Sequence, residues 1–315
     1  MIHIRLLPYY DTYYYFTVTE SIISTPFQEN NAMPHIMEIL GRTKVVIKDG
    51  KVVEVGEPKV KWCPLWNKAT GVENITPETV RQNIEQRIIE FGMFTPGRRF
   101  DPGVFASFGI SEVMMTALVK GLIDSTVTVC DGAGTVVTSS PALVQGMNAQ
   151  ISGLVETEPI NEVIDAIHMM GGHVLNPATA RIDQAAGLEL ASRQGHSKIA
   201  VSVVDPAMAS QLRELEARLG IKVVLMAAHL TGICQDDVRN MISQVDIITS
   251  CASGNIREQV EPLIQVGTAI PVFGLTLSGK EILIERAKEV QSPLLVNTMA
   301  LPVLPVEKQP RPLID

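Results

Sequence analysis

The chain reads as an α/β protein: a mainly parallel open sheet with helices on both faces, preceded by a small antiparallel β-meander. Three observations predict this class. Short continuous apolar runs recur from Thr126 onward, as strands buried on both faces require. Stretches of helical length separate them, which calls for crossovers between parallel strands. Before residue 110 the pattern is different, a tight alternating hairpin followed by one helix.

Taken in order, residues 1–32 hold all five tyrosines of the chain and lack the basic start and apolar core of a signal peptide. We expect them to be a non-native or disordered extension, with Met33 the original start. Residues 33–109 form the meander, a helix and a loop. TKVVIKDGKVVEVG alternates around Asp49-Gly50, a two-residue hairpin signal, and KVKWCPLW is expected to add a third short strand ended by Pro64. Thr76-Pro77 starts a helix, with Thr as cap and Pro at the first helical position. Phe94 to Gly109, rich in Gly, Pro and Phe, reads as a packed loop.

Residues 110–300 are expected to be a ligand-binding α/β core, and 301–315 a Pro-rich tail. Within the core, strands are predicted at 125–130, HVLN, KIAVSVVD, IKVVLMAAH, VDIITSCA, IPVFGLT and PLLVNT, with a helix between neighbours. Pro262 is expected to kink or split one of these helices.

Ligands of open parallel sheets bind outside the carboxyl ends of the strands. That edge should receive Cys130 and Asp131 from one strand, His229 and Cys234 from another, and Cys251, Ser253, Gly254 and Asn255 from a third. The strand at 270–275 should add Ser278, Gly279 and Lys280. Cys130 and Asp131 are the candidates for chemistry, on a turn in which Gly132, Gly134 and Thr135 let a ligand approach. Asp131 could act as a base or simply cap the turn. DGAGT runs into Val136-Val137-Thr138 rather than a helix, so it is no dinucleotide fingerprint, and the chain has no GK[ST] phosphate loop.

SCASGNIRE and LTLSGKE each place Ser and Gly before a predicted helix, where free backbone N–H groups suit an anion. Arg257 and Lys280 in those first turns are rationalised by an anionic partner; routine capping is the competing reading. Cys234, Cys251 and His229 could ligate a metal beside Cys130, or the cysteines could be small hydrophobes at strand ends. Cys63, far away on the meander, reads as structural, with the exposed-looking WCPLW context leaving a surface thiol as the alternative.

A net charge of −8 argues against a nucleic-acid partner, and no apolar run is long and clean enough to span a bilayer. Four scattered cysteines without a CxxC pair fit a cytoplasmic protein.

VIKDGKVVEVGEPKVKWCPL, FGMFTPGR, VCDGAGTVVTSSPALVQGMNAQISGLV, ARIDQAAGLELA, VDIITSCASGNIRE and IPVFGLTLSGKEILIERAKE together resemble the methanogenesis marker protein 8 family, over about Met37 to Asn297. The resemblance implies a cytoplasmic protein of methane-metabolising archaea, with a role near maturation of methyl-coenzyme M reductase. It supplies no catalytic residues and no cofactor. The functional expectation is therefore a protein that binds a small anionic metabolite or cofactor. A metal- or sulfur-carrying accessory factor and a non-catalytic subunit docking on methanogenesis enzymes are the alternatives.

Overall fold

The computed structural model describes residues 33–101 and 103–315. The expectations for residues 1–32 lie outside that range. Two sheets organise the described chain.

The first sheet is antiparallel, in the order β3-β2-β1-β6. It contains β1 (His35–Ile39), β2 (Thr43–Lys48), β3 (Lys51–Val55) and, from much later in the chain, β6 (Gly153–Glu156). Asp49 and Gly50 both take left-handed φ values, 50° and 66°, as a two-residue turn matching the twist of its strands requires. Met37, Ile39, Val45 and Ile47 point inward against Trp66, Val80 and Ile84 of helices α1 (Pro64–Thr70) and α2 (Pro77–Phe91). The expected third strand in KVKWCPLW is absent. Pro64 opens α1 instead, at a position where its missing N–H costs nothing, and Trp62 makes only an isolated bridge to Arg311. Thr76 caps α2 as expected, in a reciprocal capping box with Thr79.

The second sheet has eight strands, in the order β11-β12-β10-β9-β8-β4-β5-β7. Its centre is parallel: β4 (Ser125–Cys130), β8 (Lys198–Val203), β9 (Lys222–Ala227) and β10 (Ile247–Thr249). Residues of β8 alternate between the two faces. Ile199, Val201 and Val203 pack among the apolar residues of α6 (Gln184–Arg193), α7 (Pro206–Leu219) and α8 (Gln235–Gln244). Ala200 joins the opposite cluster with α3 (Ile110–Val119) and α10 (Leu277–Glu289). Helices thus cover both faces, which explains why the central strands read as unbroken apolar runs.

Both edges depart from the parallel expectation. Only residues 131–133 separate β4 from β5 (Gly134–Thr138), too few for a crossover, so β5 returns antiparallel. After α4 (Pro141–Asn148) and α5 (Asn161–Met169), β7 (Gly172–Val174) also pairs antiparallel. At the other edge, α9 (Gly254–Gln259) ends before Pro262, and an unforeseen strand, β11 (Ile264–Val266), pairs with β12 (Val272–Gly274). β12 is antiparallel to β10. The predicted strand PLLVNT does not form; Leu295 and Val296 are 92% and 91% exposed. The loop before α3 is only partly packed: Phe94 and Arg98 are buried, but residues 104–107 are exposed and held through their backbone. Buried Glu112 accepts from the Phe105 and Ala106 N–H groups, and Arg286 holds the Ser107 carbonyl.

Candidate functional site

Strand direction decides which candidates can meet. β4, β9 and β10 are mutually parallel within one sheet, so Cys130-Asp131, His229 and Ser250-Cys251 leave from the same rim. Three inter-strand steps separate β4 from β10 along it, roughly 14 Å at the usual spacing. One rim therefore carries two separate places, not one pocket. Ser278, Gly279 and Lys280 do not share it. They follow the antiparallel β12 and sit at the opposite edge, where Thr276 Oγ1 donates to Asp246 Oδ1 at 2.6 Å and accepts from the Gly279 N–H. A cleft of about 510 Å³ there is lined by Ser278 and Thr276. Of its two cations, Arg213 is already paired with Asp246 and Glu216 at 2.7 Å each, and Lys222 is exposed.

At the end of β4, Cys130 and Asp131 are completely buried. Asp131 Oδ2 accepts from the Phe94 N–H at 2.7 Å, and Oδ1 accepts from Arg98 Nε at 3.1 Å. Arg98 spends its remaining donors on the carbonyls of Arg99, Gly146 and Met147. Burial pushes the Cys130 thiol well above its ordinary range; Asp131 adds to this and Arg98 partly offsets it. A thiol so held is inert rather than nucleophilic. The glycines serve the protein itself. Gly134 has φ 69°, and a side chain there would collide with the Ala180 carbonyl; the Gly132 N–H donates to Thr157 Oγ1. Thr135 Oγ1 accepts from the Asp183 N–H. The Asp131 carboxylate, the Gly132 N–H and the Thr135 hydroxyl expected to meet a ligand are thus engaged within the protein.

A cleft of about 440 Å³ opens beside the turn, lined by His35, Phe94, Ile160 and the carboxylates Asp49, Glu158 and Glu162. Sequence reasoning missed it. His35 Nδ1 is 2.7 Å from Thr157 Oγ1, and burial holds its pKa below the ordinary value, with Asp131 pulling the other way. Burial raises the Glu158 carboxyl, and nearby Asp49 raises it further. With no Lys or Arg among its lining residues, this cleft does not suit an anion.

The proposed metal set does not assemble: among the described residues no three His, Cys, Asp or Glu side chains are placed to hold an ion. His229 instead pairs its Nε2 with Glu38 Oε2 at 2.9 Å, joining the two sheets, and this bond is the main reason the Glu38 carboxyl is lowered. Cys234 is exposed at the N-cap position of α8, where its side chain makes no capping bond.

The end of β10 differs. Ser250 is fully buried, and its hydroxyl has no partner among the described residues. Cys251, half-buried with φ 45°, follows it. Arg257, 5% exposed, reaches back from α9 and donates through Nη2 to the Cys251 and Ala269 carbonyls at 2.9 and 3.0 Å. Its Nε and Nη1 are buried and unpartnered, and no carboxylate pairs with it among the described residues. Burial lowers its pKa to about 10, with Cys251 opposing the shift.

Ser253, Gly254 and Asn255 are occupied otherwise than predicted. Ser253 Oγ caps Ile256, the Gly254 N–H donates to the Ile314 carbonyl, and Asn255 Nδ2 donates to Ile233. The Pro-rich tail is thus docked on this turn. It also reaches the meander, where Arg311 pairs with Trp62 and stacks over its ring at 4.1 Å. Cys63, expected to be remote, is thereby brought near enough to Cys251 for their charges to couple. Its thiol is raised chiefly by burial, against a pull from the Trp66 and Leu65 N–H groups.

The chain belongs to an archaeal family: residues 35–288 match the family described as "Uncharacterized protein conserved in archaea (DUF2099)". It is 44% identical over 283 residues to an uncharacterised protein of Methanocaldococcus jannaschii, covering 89% of this chain and 99% of that one. Among solved structures, a chain of the F420-reducing [NiFe] hydrogenase complex from Methanosarcina barkeri, determined with xenon, aligns over 57% of this chain and 72% of its own. The identity is 15% and the TM-score 0.36, too low to carry an argument. Among the described residues, no helix is long and apolar enough to cross a membrane.

Proposed function

We propose that this protein binds a small anionic metabolite or cofactor, bearing a carboxylate or phosphate, at the carboxyl end of β10. The observation that supports it is the buried Arg257 guanidinium with Nε and Nη1 unpartnered. A buried charge lacking its counter-ion is strongly unfavourable, and a bound anion would complete it through two charge-assisted hydrogen bonds. Ser250 Oγ, equally buried and unpartnered, adds a third donor on the same turn. The resemblance to the methanogenesis marker protein 8 family supports placing this binding in methane-metabolising archaea, in the cytoplasm, and near maturation of methyl-coenzyme M reductase.

Thermal unfolding of the full chain with inorganic phosphate and a panel of carboxylates tests this reading. A ligand at one hundred times its Kd adds about 2.7 kcal/mol, a rise of roughly 5 °C or more for a domain of this size. Arg257→Met should abolish that rise. Indifference of the wild-type protein to every anion would refute the proposal.

A further inference from the structure

The surroundings of Arg257 also hold a thiol. Cys251 adjoins buried Ser250, and its carbonyl is gripped by the guanidinium. It is half-buried, with Sγ 3.3 Å from Thr249 Oγ1. Of the other thiols, Cys130 is sealed, Cys234 is exposed with no cation paired to it among the described residues, and Cys63 is half-buried on the meander side. Only the β10 turn, among the described residues, carries a half-buried thiol whose own carbonyl is held by a buried cation that has unpartnered nitrogens.

We infer that Cys251 is a nucleophile toward a small anionic electrophile, a carboxylate or phosphate whose nearby carbon carries a leaving group. This deepens the anion-binding reading and rests on it. Arg257 and Ser250 hold the anionic end, which sets the electrophilic carbon against Sγ. The thiol proton passes to bulk water, and the sulfur lone pair forms an S–C bond. The leaving group departs with the electrons of the bond it breaks. No oxidant or reductant is needed. Holding both partners in one place supplies the rate gain, because encounter and orientation are already secured.

Alkylation of the native full chain by iodoacetate and by iodoacetamide tests the inference, read site by site by peptide mass spectrometry. The two reagents share the reacting carbon and differ in carrying an anion or a neutral amide. The iodoacetate-to-iodoacetamide rate ratio at Cys251 should exceed that at exposed Cys234 by about tenfold, the scale of one charge-assisted hydrogen bond. Inorganic phosphate should slow iodoacetate at Cys251 and leave Cys234 unaffected. Arg257→Met should bring the Cys251 ratio down to the Cys234 value, and Arg257→Lys should restore part of the preference. Equal ratios at the two cysteines, or a Cys251 that neither reagent modifies, would overturn the inference. If phosphate still raised the melting temperature in that case, anion binding would stand and only the nucleophilic role would fall.

Discussion

Arg98 and Arg257 are both buried arginines at the carboxyl rim of the parallel strands, and they differ in a single respect. Arg98 has its carboxylate, Asp131, at 3.1 Å, and its other nitrogens are bonded to carbonyls. Arg257 has two carbonyls on one nitrogen, and nothing among the described residues on the other two. The first is a finished ion pair that ties the 94–99 loop to β4. The second has no carboxylate partner among the described residues. Burial of a charge alone therefore does not mark a site; the proposed one is set apart by its unpartnered nitrogens.

The sharpest way to break this contrast is to make Arg98 resemble Arg257. Asp131→Ala leaves a buried guanidinium and the Phe94 N–H without their acceptor. It should cost about 3–5 kcal/mol in urea unfolding. Arg257→Met removes an incomplete charge and two carbonyl bonds together, so the ligand-free protein should change by about 1 kcal/mol or less. A loss as large as that of Asp131→Ala would mean that Arg257 is complete already.

The smallest effect is in the pH dependence beside the first arginine. His35 has a folded pKa below its ordinary 6.5, so the folded state binds its proton less readily than the unfolded one. Its contribution is present in full above pH 6.5 and is lost as pH falls through the folded value. Glu158, raised above 4.5, acts in the opposite sense nearer that pH. Urea midpoints between pH 7.5 and 5.5 should fall in the wild-type protein, and by less in His35→Gln.

Local chemistry made much of the fold readable. The Asp49-Gly50 hairpin, the Thr76 cap and the apolar runs of β4, β8, β9 and β10 are each set by residues within one element. The direction of β12 was not readable. It depends on β11, three half-buried residues with no alternation to announce them, and this moved Ser278, Gly279 and Lys280 to the far edge. PLLVNT has strand composition but no neighbour to pair with among the described residues. Serine and glycine before α9 could equally cap a helix or hold an anion, and only the docked tail decides for capping. The approach of Cys63 to Cys251 rests on contacts between distant segments, for which no local pattern exists.

The tail has a consequence for biogenesis. Ile314 hydrogen-bonds Ala252, while Arg311 clasps Trp62, so a few late residues fasten together the neighbourhoods of two thiols. Synthesis runs from the amino end, and those residues leave the ribosome after every strand of both sheets. A nascent chain can thus complete both sheets before Ile314 and Arg311 fasten the segments that bear Cys251 and Cys63.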